Sequence, residues 1–285
     1  MRQAAQVGGS EHVAPTGGVL RSDVCFCPMH ILRHFVGRAA KLARRKVVEL
    51  VASRARFDLL TMSRLETTPI ERLGSRYGGW KIPSSFIGLD SVVYCAGAGE
   101  DITFDLELIQ RFGCQVYTID PTPRAKAHVA VTAPSDNRFH FLDVGLWDCD
   151  DVIRFYAPAD PTHVSHSALN LQRTSEFFEA PVKKLSTIMR EHGHKRLSLL
   201  KLDIEGAEYR VLDSLIADGV NADVICVEYD EAQLPLDAAY LTRIRRSAYA
   251  LMCYGYSLVA VEPACKLTLV RKELLGKTAE VENHP

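Results

Sequence analysis

No apolar run in this chain approaches the ~20 residues a membrane-spanning helix needs, and its opening residues, MRQAAQVGGSEHVAPTGG, lack the continuous apolar stretch of a secretory leader. An excess of charge of one sign is also missing. Thirty-four Lys and Arg balance 35 Asp and Glu, for a formal net charge of -1. Such a chain has no global field to draw in nucleic acid, and no nucleic-acid partner is expected. Internal repeats and long charge blocks are absent. The eight cysteines are scattered, and several, such as Cys226 in VICVEY, sit in apolar runs where cysteine packs as a small hydrophobe. Cys25 and Cys27 have Pro28 and His30 nearby, but no second cysteine pair with zinc-site spacing follows. These absences lead us to expect a soluble protein without a metal, in a reducing compartment, with the cytoplasm as the expected location. What is present, 285 residues with 47% hydrophobic and 24% charged, suffices for one sizeable core and a small appendage.

Three regions are expected. Residues 1–28, rich in Gly, Ala, Ser and Pro without a steady period, read as a flexible tail. Residues 29–76 read as an N-terminal helical extension. Within it Ile31, Leu32, Phe35, Val36, Ala39 and Leu42 recur at helical spacing among Arg38, Lys41, Arg44 and Arg45. This basic amphipathic stretch, 29–57, packs its apolar stripe on the main domain or else contacts a membrane surface or partner. Residues 77–285 read as the main domain. After Ser91, strand patterns (SVVYCA, CQVYTID, RFHFLDVGLW, DVIRFYAP, LSLLKLDI, VICVEYDE) are interspersed with helical ones (DITFDLELIQRFG, PTPRAKAHVA, GAEYRVLDSLIADG, and a stretch around 238–254). VKKLSTIMREHG reads as a strand end running into a helix. Alternation of this kind implies right-handed crossovers and a mostly parallel sheet with helices on both faces. The closing pair, YSLVAVEP and CKLTLVRK, is joined too tightly for a parallel crossover, so an antiparallel last strand is expected. Ligands of such sheets bind outside the carboxyl ends of the strands.

Those ends carry the chemistry. In YCAGAGEDITFD, Gly97 and Gly99 permit a tight turn close to a ligand, Asp101 stands where a helix N-cap belongs, and Asp105 lies in the first helical turn. The next strand ends in Asp120, suited to both hydroxyls of a ribose or to capping the helix that follows. A third strand ends in Asp143, which can accept from an adenine amino group while the neighbouring amide, Val144, donates to the ring; a turn residue is the alternative. Together these point to an adenosine-bearing cofactor. SLLKLDIEGAEY ends an apolar run abruptly in Asp203 and Glu205, and a further strand ends in Glu228. PADPTHVSHSALN, residues 158–170, reads as a long loop with His163, His166 and Ser167, of which His166 is a candidate general base.

KLDIEGAEYRVLDSL followed by VICVEYDE resembles the signature of the FkbM-type methyltransferases, and YGGWKIP with VVYCAGAGEDITFD is similar to related methyltransferase-like domains. The resemblance spans approximately Tyr77 to Lys272. It implies a class I, Rossmann-like α/β three-layer sandwich dependent on S-adenosyl-L-methionine, with a mostly parallel seven-stranded sheet and an antiparallel last strand. It also implies that the loop from Cys95 through Gly97 and Gly99 to Asp101 holds the methionine part, and that Asp120 binds the ribose and Asp143 the adenine edge. YGGWKIP, with Tyr77, either closes over the methionine end or is a rigid turn that anchors the N-terminal segment. Cys95 stands where an acid is common and Asp101 where a third glycine is common, so Asp101 or Asp203 is expected to take the methionine ammonium. Asp203, Glu205 and Glu228 then lie where sulfonium and acceptor meet, to orient the acceptor, accept its proton or hold a divalent cation. The implied reaction is O-methylation of a hydroxyl on a sugar or other small metabolite. Two other readings compete: a nicotinamide oxidoreductase, for which GAGEDI lacks the third glycine, and a catalytically silent cofactor-binding protein that engages a partner through 29–57. The discriminating feature is whether the three carboxylates face a chamber able to admit an acceptor.

Overall fold

The computed structural model describes residues 66–275, so the expected tail, the basic helix and the Cys25/Cys27 pair lie outside the described residues. A short antiparallel hairpin comes first, β1 (Glu71–Leu73) and β2 (Trp80–Ile82). Trp80 and Ile82 are fully buried. The buried Glu262 carboxylate accepts from Arg72 at 2.8 Å and from the Lys81 amide at 3.1 Å, which ties the hairpin to the body. Packed structure therefore begins upstream of Tyr77.

The alternation of strand and helix follows as the sequence pattern implies: β3 (Val92–Ala96), α1 (Thr103–Phe112), β4 (Gln115–Ile119), α2 (Pro123–Thr132), β5 (Phe139–Leu142). Helix α1 stops at Gly113, which adopts φ 67 and returns its amide to the Ile109 carbonyl, the left-handed C-terminal cap that glycine adopts without penalty. Helix α2 starts with Thr122 as N-cap, its side chain accepting from the Ala125 amide, and Pro123 at the first turn. RFHFLDVGLW, expected as one strand, breaks at Asp143. Its second part, β6 (Gly145–Leu146), joins β7 (Asp151–Tyr156) and β8 (Phe177–Lys183) in a separate three-stranded sheet of order β6-β8-β7. The crossing is tight, since a Cβ on Gly145 would lie 2.9 Å from both Phe155 and Val182. FFEAPVK is thus a full strand, where the sequence suggested only a strand end.

The chain then runs through α3 (Leu185–Glu191), β9 (Leu197–Leu202), α4 (Glu208–Ala217), β10 (Ala222–Glu228), α5 (Tyr240–Cys253), β11 (Tyr256–Glu262) and β12 (Lys266–Arg271). The main sheet has the order β11-β12-β10-β9-β3-β4-β5. All its neighbours pair in parallel except β12, antiparallel to both β10 and β11. This is the class I methyltransferase arrangement expected above. Strand alternation divides the core. Tyr94, Ala96, Leu200, Leu202, Ile225 and Val227 face α3, α4 and α5, while Val93, Cys95, Leu199, Val224 and Cys226 face α1 and the β1–β2 hairpin. Strand order reverses between β3 and β9, so a crevice opens at their carboxyl ends.

Leu200, fully buried at the centre of the sheet, and Leu89, 72% exposed, set the scale of the core. Leu200→Ala is expected to cost about 2–5 kcal/mol in urea unfolding, and Leu89→Ala less than about 0.5 kcal/mol. Equal costs would place Leu200 outside the cooperative core.

Candidate active site

At the reversal point the ends of β3 and β9 nearly touch. Gly97 adopts φ 87, and a Cβ there would lie 1.8 Å from the Asp203 carbonyl oxygen. Only glycine permits that approach. Lys201, 5% exposed within β9, donates its ammonium to the Gly97 carbonyl and lies 3.6 Å from the Asp203 carboxylate. Burial opposes its charge, but Asp203 and Asp105 outweigh that, and its pKa lies above the ordinary lysine value. Lys201 had no assigned role in the sequence reading. The signal was a lone lysine inside the apolar run LSLLKL, a residue almost never buried without a partner. Cys95 is buried on the opposite face of β3 from the crevice. Burial, then the neighbouring Asp105 carboxylate, pushes its thiol pKa well up. Ala96 takes the lining position instead.

Two acids shape the glycine loop. Asp120, buried at the end of β4, accepts from the Ala98 and Gly99 amides at 2.9 and 3.0 Å through Oδ2, and from the Thr122 amide and hydroxyl at 2.8 and 2.6 Å through Oδ1. It holds the loop and orients the true helix cap, Thr122, while lining the crevice. Asp101 stands one residue before the N-cap of α1, which is Ile102. Its Oδ1 accepts from the Thr103 amide at 3.0 Å, and its Oδ2 accepts from Ser75 Oγ at 2.5 Å and the Gly78 amide at 3.2 Å. Burial raises the Asp101 pKa, but these hydrogen bonds prevail and leave it below the usual carboxylate value. The link fastens the β1–β2 turn, and with it the exposed Tyr77, beside the loop.

The crevice has two chambers. The first, about 110 Å³, is walled by Gly97, Ala98 and Gly99, by the apolar Ile119, Leu146, Phe155 and Val164, and by Asp120, His166 and Lys201. The second, about 650 Å³, is lined by Arg76, His163, Gln172, Glu228, Asp230, Gln233 and Lys266. Tyr77, Gly78, Ser165, Asp203 and Glu205 line both. The expected loop 158–170 supplies much of this wall. Ser167 Oγ donates to the Glu205 carbonyl at 2.6 Å, and Arg124 from α2 donates to the His163 carbonyl at 2.9 Å while paired with Glu100. His166 faces the first chamber, its Nδ1 3.0 Å from the Val164 carbonyl. Asp143 is exposed, paired with Lys126, and neither it nor the buried Val144 lines either chamber. The break after β5 turns the chain away there, and Gly145 and Leu146 form the wall instead.

Acids crowd the junction. Glu205 adopts φ 54, a left-handed conformation strained for a side chain of its size and of the kind that clusters at functional sites. Burial, with Asp203 nearby, pushes its carboxyl up to about 7. Glu228 accepts from Gln233 at 2.9 Å and pairs with Lys266 at 3.0 Å; burial and Asp203 push it up to about 8. Glu208, fully buried at the start of α4, accepts from the Ile204 and Gly206 amides at 3.1 and 3.0 Å. Both amides precede the N-cap, Ala207, so Glu208 fastens the turn between β9 and α4, which differs from the helix-terminus role foreseen as an alternative for Glu205 and Glu208. Burial raises Glu208 to about 8.

Residues 92–258 match the family model of the methyltransferase FkbM domain. The chain belongs to this family. Among curated relatives, the probable methyltransferase-like protein 24 of Rattus norvegicus is 30% identical over 128 residues, 45% of this chain and 29% of the relative. Its Homo sapiens counterpart is 30% identical over 129 residues, with the same coverage. The match thus spans under a third of those relatives' length. Two solved structures are similar at low identity. Methanococcus jannaschii fibrillarin pre-rRNA processing protein has TM-score 0.38 and 9% identity, covering 65% of this chain and 68% of that one. Aeropyrum pernix fibrillarin, in complex with natively bound S-adenosyl-L-methionine, has TM-score 0.37 and 8% identity with the same coverage. No helix among the described residues is long and apolar enough to cross a membrane.

Two outcomes follow from this geometry. Arg124→Ala, which unfastens the 158–170 loop, should make that segment at least several-fold more susceptible to limited proteolysis at an unchanged melting temperature; an unchanged cleavage pattern would show that Arg124 does not hold it. The raised pKa values of Glu205, Glu208 and Glu228 mean that the folded state keeps protons the unfolded state releases above about 4.5. Their stabilisation is complete below that pH and is lost as pH rises through about 7 to 8. The half-buried His140 and His194 have lowered pKa values and act oppositely, losing stability as pH falls below about 6.5. Glu208→Gln should therefore flatten the fall in melting temperature between pH 6 and 9 relative to the parent. A parallel curve would refute the assignment.

Proposed function

We propose that the protein is an S-adenosyl-L-methionine-dependent methyltransferase acting on a hydroxyl of a sugar or other small metabolite. The observation that carries this reading is the pair of chambers meeting at Asp203 and Glu205, beside a glycine loop at the strand-order reversal. The residues present fit the cofactor. The apolar side chains of the first chamber suit an adenine, Asp120 stands at the end of β4 where a ribose would lie, and Asp203 and Asp101 are the acids available to an ammonium. When bound, the cofactor supplies an electrophilic methyl group on a cationic sulfonium.

The protein's own residues do the rest. Alignment of donor and acceptor across the junction supplies much of the acceleration. The Lys201 contact to Gly97 and the Asp101 contacts to the hairpin turn hold both sides of the junction in place. Tyr77 and the 158–170 loop narrow the opening and exclude water. Glu205, with its carboxyl near 7, is the proton acceptor best matched to neutral pH, with His166 as the second candidate on the first-chamber side. Glu228 and Asp203 orient the acceptor.

Calorimetric titration with S-adenosylmethionine and S-adenosylhomocysteine, with NAD as control, tests the cofactor. Both sulfur compounds should bind and NAD should not. Asp120→Ala, which frees the Ala98 and Gly99 amides, should weaken binding at least tenfold, about 1.4 kcal/mol. Failure of both to bind the parent protein would overturn the reading.

A further inference from the structure

Lys201 is the one lysine or arginine on the lining of the first chamber, and its contact to Gly97 uses only part of its capacity. An ammonium carries three N–H donors. Lys201 is 5% exposed, and a single hydrogen bond leaves its Nζ, to the Gly97 carbonyl. The Asp203 carboxylate lies at 3.6 Å, close enough for an ion pair and too far for a hydrogen bond, and Asp105 contributes through its charge. Two donors of a buried cation therefore have no hydrogen-bond acceptor among the described residues. Such donors are costly to leave unused.

The glycine loop is committed in the opposite way. Amides between a strand end and a helix are the usual donors to an anion in a fold of this kind. Here the Gly97 amide donates to the Ile119 carbonyl at 2.9 Å and the Asp101 amide to the Ala98 carbonyl at 3.1 Å, while the Ala98 and Gly99 amides go to Asp120. Those four amides are spent, and Glu100, Asp101, Asp120, Asp203 and Glu205 all bring negative charge to the same lining. An anionic group entering the chamber is left with Lys201 as its cationic donor. Lys201 and Asp203, opposite charges 3.6 Å apart, both line the chamber. They are complementary to a ligand with an ammonium and a carboxylate on one carbon, since each ligand charge then meets its opposite.

We propose that Lys201 takes the carboxylate, and Asp203 the ammonium, of the amino-acid end of the cofactor, so that the first chamber selects a nucleoside carrying a zwitterion. The proposal rests on the methyltransferase reading for the presence of that cofactor. Lys201 keeps its contact to Gly97 in the bound state, and the ligand carboxylate accepts from the donors that this contact leaves.

The test is calorimetric titration with S-adenosylhomocysteine, with its decarboxylated analogue, which keeps the ammonium, and with 5′-methylthioadenosine, which has neither charge. The parent protein should bind the decarboxylated analogue at least about tenfold more weakly than S-adenosylhomocysteine, the loss of one charge-assisted hydrogen bond. Lys201→Gln, which can still donate to the Gly97 carbonyl but carries no charge, should bring the two within about threefold of each other. Its affinity for 5′-methylthioadenosine should stay within about threefold of the parent's, a report that the loop is intact. Equal binding of S-adenosylhomocysteine and its decarboxylated analogue by the parent would overturn the proposal, as would a preference that survives in the variant. A variant that loses all three compounds alike would assign Lys201 to the loop alone and overturn it too. If the parent binds none of the three, the cofactor reading itself fails and the proposal with it; if it binds all three alike, the proposal fails and the cofactor reading stands.

Discussion

The ammonium of Lys201, buried inside β9 and donated to the Gly97 carbonyl, is the contact on which the crevice depends. A lysine in the middle of a parallel strand, flanked by apolar neighbours, is tolerable only when acceptors meet it. Here they are a carbonyl of the glycine loop and the carboxylates of Asp203 and Asp105. The contact fixes the loop against β9, which is why Gly97 must lack a side chain. With the loop fixed, the Ala98 and Gly99 amides converge on Asp120, and Asp120 in turn orients Thr122 at the start of α2. One buried charge thus sets the geometry of three strand ends.

The same polar economy produces the character of the junction. Parallel strands carry acids to their carboxyl ends, and the chain then folds over them with the β1–β2 turn and the 158–170 loop. Enclosure raises the carboxyl pKa values, since burial penalises charge and neighbouring carboxylates add repulsion. Strain at Glu205 belongs to this pattern: a residue held in a left-handed conformation places its carboxyl at the meeting point of the two chambers, and Ser167 on its carbonyl keeps it there. The stability lost in assembling such a cluster is offset by the largely apolar sheet beneath it, where Leu199, Leu200 and Leu202 are completely buried.

Much of this was legible in the sequence. Period-two and helical patterns after Ser91 revealed an α/β sheet, and the tight link between the last two apolar runs revealed the antiparallel strand. The LDIEGAEY stretch revealed that acids finish a buried strand, and the family model confirmed the resemblance that KLDIEGAE carries. Less legible were the places where the chain changes partners. RFHFLDVGLW carries the same pattern on both sides of Asp143, so nothing local shows that its two parts enter different sheets. For that reason Asp143 and Val144 lie off the chamber walls, and Gly145 and Leu146 take their place.

By itself, the sequence determined most of the strands and helices after Ser91, which way the main sheet runs and which acids arrive at its rim, because hydrophobic periodicity and turn chemistry act over a few neighbouring positions. Tertiary structure alone decided what those acids do there. Asp120 organises a loop 21 and 22 residues before it, Lys201 grips a carbonyl 104 residues away, and Asp101 anchors a turn 26 residues upstream. Hydrogen-bond satisfaction and electrostatic crowding depend on which distant groups meet in space, and no local pattern encodes that.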